Sequence, residues 1–238
     1  LVRMCACRGT AGIAHVSCLA EQAKILVAEA VENNLDLQPS WNRWHTCGQC
    51  EQQYHGVVKC ALGWACWKTY VGRPETDEVR GCAMTELGNG LSAAEHYEDA
   101  LSAYEARLST LKRLGASETH ILAAQGNLAL TYTNLGRHEE ALLMRRDVYS
   151  GRLKLKGEEH RSTLLAASNY AASLMNLKRF GQAKVVLRKA MPVARRVLGE
   201  SHDIALKMRL FYAAALYQDD GATLDDLREA ATMLEDTE

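Results

Sequence analysis

Proline and phenylalanine are scarce here, with three and two residues in 238. Proline is the strongest helix breaker, so its rarity leaves long stretches free to run as uninterrupted helix. An excess of one charge is also missing. Lys and Arg number 28 against 29 Asp and Glu, so the strong basic surplus of a general nucleic-acid binder is absent. No apolar run approaches the ~18 residues that read as a transmembrane span. The densest apolar stretch, residues 57–70, contains Lys59 and Lys68. No membrane association and no signal peptide are expected. Cysteine vanishes after Cys82, and all eight lie at or before that position. A disulfide scaffold spreads its cysteines over the fold it staples. Clustering at one end, with a histidine among them, points instead to metal in a reducing, intracellular compartment, expected to be the cytoplasm. The chain begins at Leu1 rather than Met, as an excerpt of a longer product would.

What is present is a repeat. Gly126-Asn127-Leu128-Ala129 recurs as Ser168-Asn169-Tyr170-Ala171, and Leu135-Gly136-Arg137 recurs as Leu177-Lys178-Arg179. Glu140-Ala141-Leu142 recurs as Gln182-Ala183-Lys184, and Gly157-Glu158-Glu159-His160 as Gly199-Glu200-Ser201-His202. Every pair has the same offset in sequence number, 168 − 126 = 42 for the first. In an earlier copy Glu98-Asp99-Ala100-Leu101 matches Glu139-Glu140-Ala141-Leu142 at an offset shorter by one. A degraded later copy holds Asp226-Leu227-Arg228-Glu229-Ala230. Each unit reads as two helices, in the second copy Leu122 to Leu135 and Arg137 to Leu155. Small residues at 129, 141, 171 and 183 mark close helix approach. Gly157 and Gly199 are the expected helix ends. One pair cannot bury its own apolar face, whereas a stack can.

The pattern resembles tetratricopeptide repeats, in the form with this offset that kinesin light chains show. Leu128, Ala129, Tyr132, Leu135, Gly136 and Ala141 carry the likeness, with Tyr170, Ala171, Leu174, Leu177 and Ala183. The expected fold is mostly α. A small zinc-finger-like module over 1–72 precedes a solenoid of antiparallel helix pairs over 73–238, with repeats at about 75–116, 117–158, 159–200 and 201–238.

The stretch 1–72 differs in texture and holds all four tryptophans. Cys18 to about Asn34 and Tyr54 to Tyr70 read as helices, and Leu35 to Arg43, containing Pro39, as loop. The second helix is apolar nearly all round, which predicts burial on every side. The cysteines of this stretch spell Cys5-x-Cys7, then His15-x-x-Cys18, then Cys47-x-x-Cys50. Closely spaced Cys and His residues on tight loops suit tetrahedral zinc. A lone Cys-x-x-Cys is weak evidence, since free cysteine also packs as a small hydrophobe. Packing is the expectation for Cys60, Cys66 and Cys82.

In this order the cysteines and His15 resemble a RING-CH zinc finger, together with Cys7-Arg8-Gly9-Thr10-Ala11-Gly12, Trp44 and Tyr54. That class has eight ligands in a cross-brace. The resemblance implies that Cys5, Cys7, Cys47 and Cys50 hold one Zn2+. It also implies that His15 and Cys18 belong to a second site, whose other pair would precede Leu1. Such fingers act as ubiquitin ligases that dock a conjugating enzyme, which makes that enzyme an implied partner. The apolar residue normally found within the first Cys pair is not in this sequence.

Asn127 and Asn134 lie two helical turns apart, and Asn169 and Asn176 repeat the arrangement. Carboxamides both donate and accept, which suits the backbone of an extended peptide. These four are the candidate peptide-binding residues. In the alternative, Asn134 and Asn176 cap helix ends while Asn127 and Asn169 bond within the stack. Charge is uneven. Residues 178–199 hold seven basic residues and no acid, whereas 219–238 hold eight acids and only Arg228. Pairing between adjacent helices explains this, or else the basic helix attracts an acidic peptide. No Gly-rich phosphate loop is present; Gly88-Asn89-Gly90 fits close helix packing. His160 and His202 are repeat-equivalent and therefore structural. The sequence thus describes a zinc-binding protein-interaction scaffold whose repeat groove takes a peptide or partner protein. The alternative is a ubiquitin ligase whose repeats select substrate.

Overall fold

The computed structural model describes residues 14–235. The described residues are helical except for connecting turns and an isolated antiparallel bridge between Thr46 and Gln53. The helices are α1 (Val16–Glu32), α2 (Leu37–Trp41), α3 (Gly56–Tyr70), α4 (Glu78–Ala93), α5 (Tyr97–Arg113) and α6 (Glu118–Asn134). They continue as α7 (His138–Lys156), α8 (Arg161–Asn176), α9 (Phe180–Leu198), α10 (Asp203–Gln218) and α11 (Leu224–Glu235). Two compact units result, Leu1–Ala116 and Ser117–Glu238. The boundary between these units falls after Ala116, and within the first unit α3 packs along α4.

In the first unit, α1 buries Ala23, Val27 and Ala30. The expected loop over 35–43 is instead the short helix α2 followed by a 3-10 turn, Asn42–Trp44. Asp36 caps it by accepting from the Gln38 amide at 3.1 Å. Pro39 is tolerated because the first turn of a helix has no internal partner for its amides. This turn delivers Trp41 and Trp44 onto Tyr70, with ring centroids 5.8 and 6.0 Å apart. Cys66, Val79 and Ala83 complete that core.

Helices α3 and α4 cross at backbone contact. A Cβ on Gly63 would stand 2.7 Å from the Glu86 carbonyl oxygen, and one on Gly90 would stand 2.8 Å from that of Lys59. Gly88 makes room in the same way for the Tyr104 ring of α5. Close packing is thus the role of the Gly88-Asn89-Gly90 segment. The expected all-round burial of α3 is not observed. Val57 is 70% exposed and Trp64 43%, because α1 and α4 cover only part of its circumference.

In the second unit, α6 to α11 form three helix pairs. The core runs through Leu142, Leu164, Leu174, Leu187, Met208 and Leu216. Ala129, Ala141, Ala171 and Ala183 are all fully buried at close helix approaches. Gly157 and Gly199 end α7 and α9 with φ of +81° and +94°, a region only glycine enters without strain. His160 and His202 cap α8 and α10, each ring Nδ1 accepting an amide N–H at 3.1 Å.

Candidate functional site

Helix α8 packs directly on α10, but no comparable packing joins α6 to α8 among the described residues. A cleft of about 300 Å³ opens between them, floored by α7. Its apolar lining is Leu122, Leu130, Val148, Leu165 and Ala166, and its polar lining includes Asn127, Asn169, Arg145 and Arg152. No acidic residue lines it.

Two arginines distinguish the floor of this cleft from the equivalent positions in the other repeats. The repeat equivalents of Arg145 and Arg152 in α9 are Leu187 and Ala194, fully buried core residues of the next pair. Their equivalents in α5 are Tyr104 and Leu111, buried core residues of the preceding pair. Of these three, only the α7 pair carries guanidinium groups at both positions. A guanidinium cannot be buried dry without a partner, and both arginines are only half-buried at the cleft. Arg145 donates to the Asn169 carbonyl oxygen at 2.9 Å, and burial pulls its pKa below the usual arginine value. Neither arginine has a carboxylate partner among the described residues.

Two of the four predicted asparagines line this cleft, Asn127 half-buried and Asn169 exposed. Asn134 and Asn176 are the exposed last residues of α6 and α8 and lie outside its lining. Arg145 and Arg152 were not among the predicted residues. Comparing each position with its repeat equivalent would have found them, since charge there breaks an apolar register.

The basic run over 178–199 is largely engaged. Arg179 binds Glu139 at 2.7 Å, Lys184 binds Asp219 at 2.7 Å, and Arg196 binds Glu159 at 2.6 Å. Arg195 pairs with Glu200. Ion pairing thus engages four of the seven basic residues, and one of these pairs, Lys184–Asp219, joins the basic run to the acidic tail.

Of the predicted metal ligands, Cys5 and Cys7 lie outside the described residues. Cys47 and Cys50 sit on a tight turn. The Glu51 amide donates to the Cys47 carbonyl oxygen at 3.0 Å, and the Cys47 amide to that of Gln52 at 2.9 Å. Glu51 adopts φ of +57° to close it. Cys47 is buried in a small core with Tyr54, Val58 and Leu62, and Cys50 packs against that core. His15 and Cys18 meet at the start of α1, Nδ1 to Sγ 3.9 Å. No group of three or more His, Cys, Asp or Glu among the described residues could hold a metal. Cys60, Cys66 and Cys82 fit packing roles. Burial is the main cause that raises all three thiol pKa values, which disfavours thiolate chemistry. No described helix is long and apolar enough to cross a membrane.

Comparison with known proteins agrees with the repeat geometry. No curated protein matches the chain by sequence. Among solved structures, a Podosopora anserina protein described as a candidate kinesin light chain with nearly identical TPR-like repeats is similar. It shares 19% identity at a TM-score of 0.60, covering 94% of each chain. BtubC (BKLC) from P. vanneervenii superposes at a TM-score of 0.66 and 11% identity, over 93% of this chain and 87% of that one. A STAND signal-transduction ATPase from Pyrococcus horikoshii, with a tetratricopeptide repeat sensor, gives 0.58 at 14% identity. The match covers 94% of this chain and 37% of that one. Residues 121–162 and 163–203 each match the tetratricopeptide repeat family, so the helix pairs that build the cleft are tetratricopeptide-type repeats.

Proposed function

We propose that this chain is a protein-interaction scaffold whose α6–α8 cleft binds an extended, acidic segment of a partner protein. The observation that carries this is the pair Arg145 and Arg152, standing in a partly apolar cleft without a carboxylate, where the next repeat packs Leu187 and Ala194 and α8 lies on α10. A carboxylate from the partner would supply the missing counter-charge in a setting where charge-assisted hydrogen bonds are strong. Leu130 and Leu165 offer apolar contact beside it, and Asn127 and Asn169 can hold the partner's backbone. Asn134 and Asn176 would extend that contact along the same helix faces. Phage-displayed peptides selected on the purified chain should be enriched in Asp or Glu next to large apolar residues. The same peptides should lose most of their affinity for Arg145→Gln/Arg152→Gln. Equal capture by that folded variant would overturn the reading.

A second reading concerns Zn2+ at the N-terminal end. The Cys47–Cys50 turn favours it, since it presents two thiols from one hairpin, half of a tetrahedral sulfur site. Cys5 and Cys7 would complete that site, with His15 and Cys18 serving the other. Metal would stabilise the segment by tying two distant stretches together. Thiolate ligands of this kind go with a reducing, intracellular location. Elemental analysis of purified protein should find one zinc per chain, lost in Cys47→Ser. A metal-free chain of unchanged stability would sink this reading. Ligase activity and a conjugating-enzyme partner rest on the family likeness alone and are not part of the proposal.

A further inference from the structure

The face opposite the cleft carries a second departure from the repeat. Between α7 and α9 lies a groove of about 450 Å³ lined by Leu142, Leu143, Tyr170, Val185, Arg146 and Arg179, among others. Its floor residue Tyr170 and rim residue Arg146 have repeat equivalents in the next pair, Tyr212 and Arg188. In that next position the tyrosine is covered. The Arg188 Nη2 donates to the Tyr212 hydroxyl at 3.2 Å, its guanidinium lies 6.0 Å from the ring centre, and Tyr212 is buried. In the α7/α9 furrow the equivalent contact is not made. Arg146 turns to its chain neighbour Asp147 at 3.1 Å. Tyr170 stacks on Tyr149 with centroids 6.1 Å apart, and its hydroxyl has no hydrogen-bond partner among the described residues.

The open furrow is apolar in the middle and basic at its rim. Leu143 and Val185, also repeat equivalents, are 52% and 69% exposed on its two walls. No acidic residue lines it, and α9 itself contains none. The acids that hold the rim arginines, Asp147 and Glu139, are more than half exposed. Exposed pairs of this kind contribute ~0–1 kcal/mol and exchange readily.

We infer that the α7/α9 furrow is a second docking site, separate from the cleft, for an acidic segment of a partner protein. Its carboxylates would replace Asp147 and Glu139 on Arg146 and Arg179, and its apolar side chains would cover Leu143 and Val185. Tyr170 would then donate a hydrogen bond from its hydroxyl to the bound segment, whereas Tyr212 accepts one from Arg188.

The test uses a fluorescein-labelled peptide of glutamates with leucines at every fourth position, and its lysine counterpart, followed by anisotropy. The Arg145→Gln/Arg152→Gln chain serves as background, so that the cleft contributes nothing. The glutamate peptide should bind that chain and the lysine peptide should not, with affinity falling as salt rises. Val185→Glu, a surface change that leaves the fold intact, should weaken binding at least about tenfold. Asp147→Asn, which releases Arg146, should tighten it. Binding that vanishes in the background chain, or that ignores both Val185→Glu and Asp147→Asn, would overturn the inference. So would a concentration-dependent dimer dissolved by Val185→Glu, since a second copy would then be the occupant.

Discussion

Replacing Gly63 by alanine tests the α3–α4 crossing directly. In a helix interior alanine is favoured over glycine by ~1 kcal/mol, so propensity alone predicts stabilisation. The new Cβ, however, would stand 2.7 Å from the Glu86 carbonyl oxygen and 3.3 Å from the Leu87 Cα. These are backbone atoms, so no rotamer change relieves the overlap. The helices would have to separate by several tenths of an ångström along their length, loosening Leu62 and Leu87, which are buried beside it. Overpacking of this kind costs ~1–3 kcal/mol and sometimes more. Set against the propensity gain, the net expectation is a loss of up to roughly 2 kcal/mol. Gly90→Ala should be similar and the double variant not additive, because the two sites share one contact. Gly126→Ala in α6 is the control, since nothing lies within 4 Å of its Cβ. It should gain up to ~1 kcal/mol. All four tryptophans belong to the first unit. Urea unfolding followed by tryptophan emission therefore reads Gly63→Ala, while far-ultraviolet ellipticity includes the second unit. A Gly63→Ala midpoint at or above wild type would refute the reasoning.

Three further predictions concern stability. Lys178 has φ of +56° at the turn where its repeat equivalent is Gly136 at +74°. Lys178→Gly should raise stability by ~0.5–1 kcal/mol in chemical denaturation. His160→Ala removes the acceptor for the Ser162 amide and should cost ~1 kcal/mol in thermal melts, whereas His160→Asn, a favoured cap, should retain it. Burial raises the Tyr70 phenol to about 12 from its ordinary 10.0. A folded pKa above the unfolded one gives stability that is full below pH ~10 and is lost as pH rises towards ~12. Denaturation midpoints of the first unit should fall across that window, with Cys66 and Tyr104 adding to the trend because burial raises them too. Tyr70→Phe should flatten the slope.

Much of the repeat array was legible because its signals are local and periodic. Leu128, Ala129 and Ala141 recur at fixed spacing with Tyr170, Ala171 and Ala183, and a helix pair needs only such spacing and a terminating glycine. The short helix at Leu37–Trp41 was hidden because Pro39 suggests a break, yet a cap at Asp36 makes a first-turn proline acceptable. The partial exposure of α3 was hidden for another reason. Its sequence is apolar on all sides, and only the number of neighbours decides which side is covered. The asparagine pairs were visible, but their four positions look alike until the structure places two at a cleft and two at helix ends.

The sequence by itself determined that the chain forms paired helices at a fixed interval, because that depends on which faces are apolar and where backbone turns are permitted. Tertiary structure alone decided which inter-repeat furrows open. Arg145 stands where the next repeat packs a leucine and lines the cleft between α6 and α8, while Arg188 bonds to the buried Tyr212 and Arg146 turns instead to Asp147. Those outcomes depend on whether each charge finds a partner across space, and no spacing along the chain encodes that.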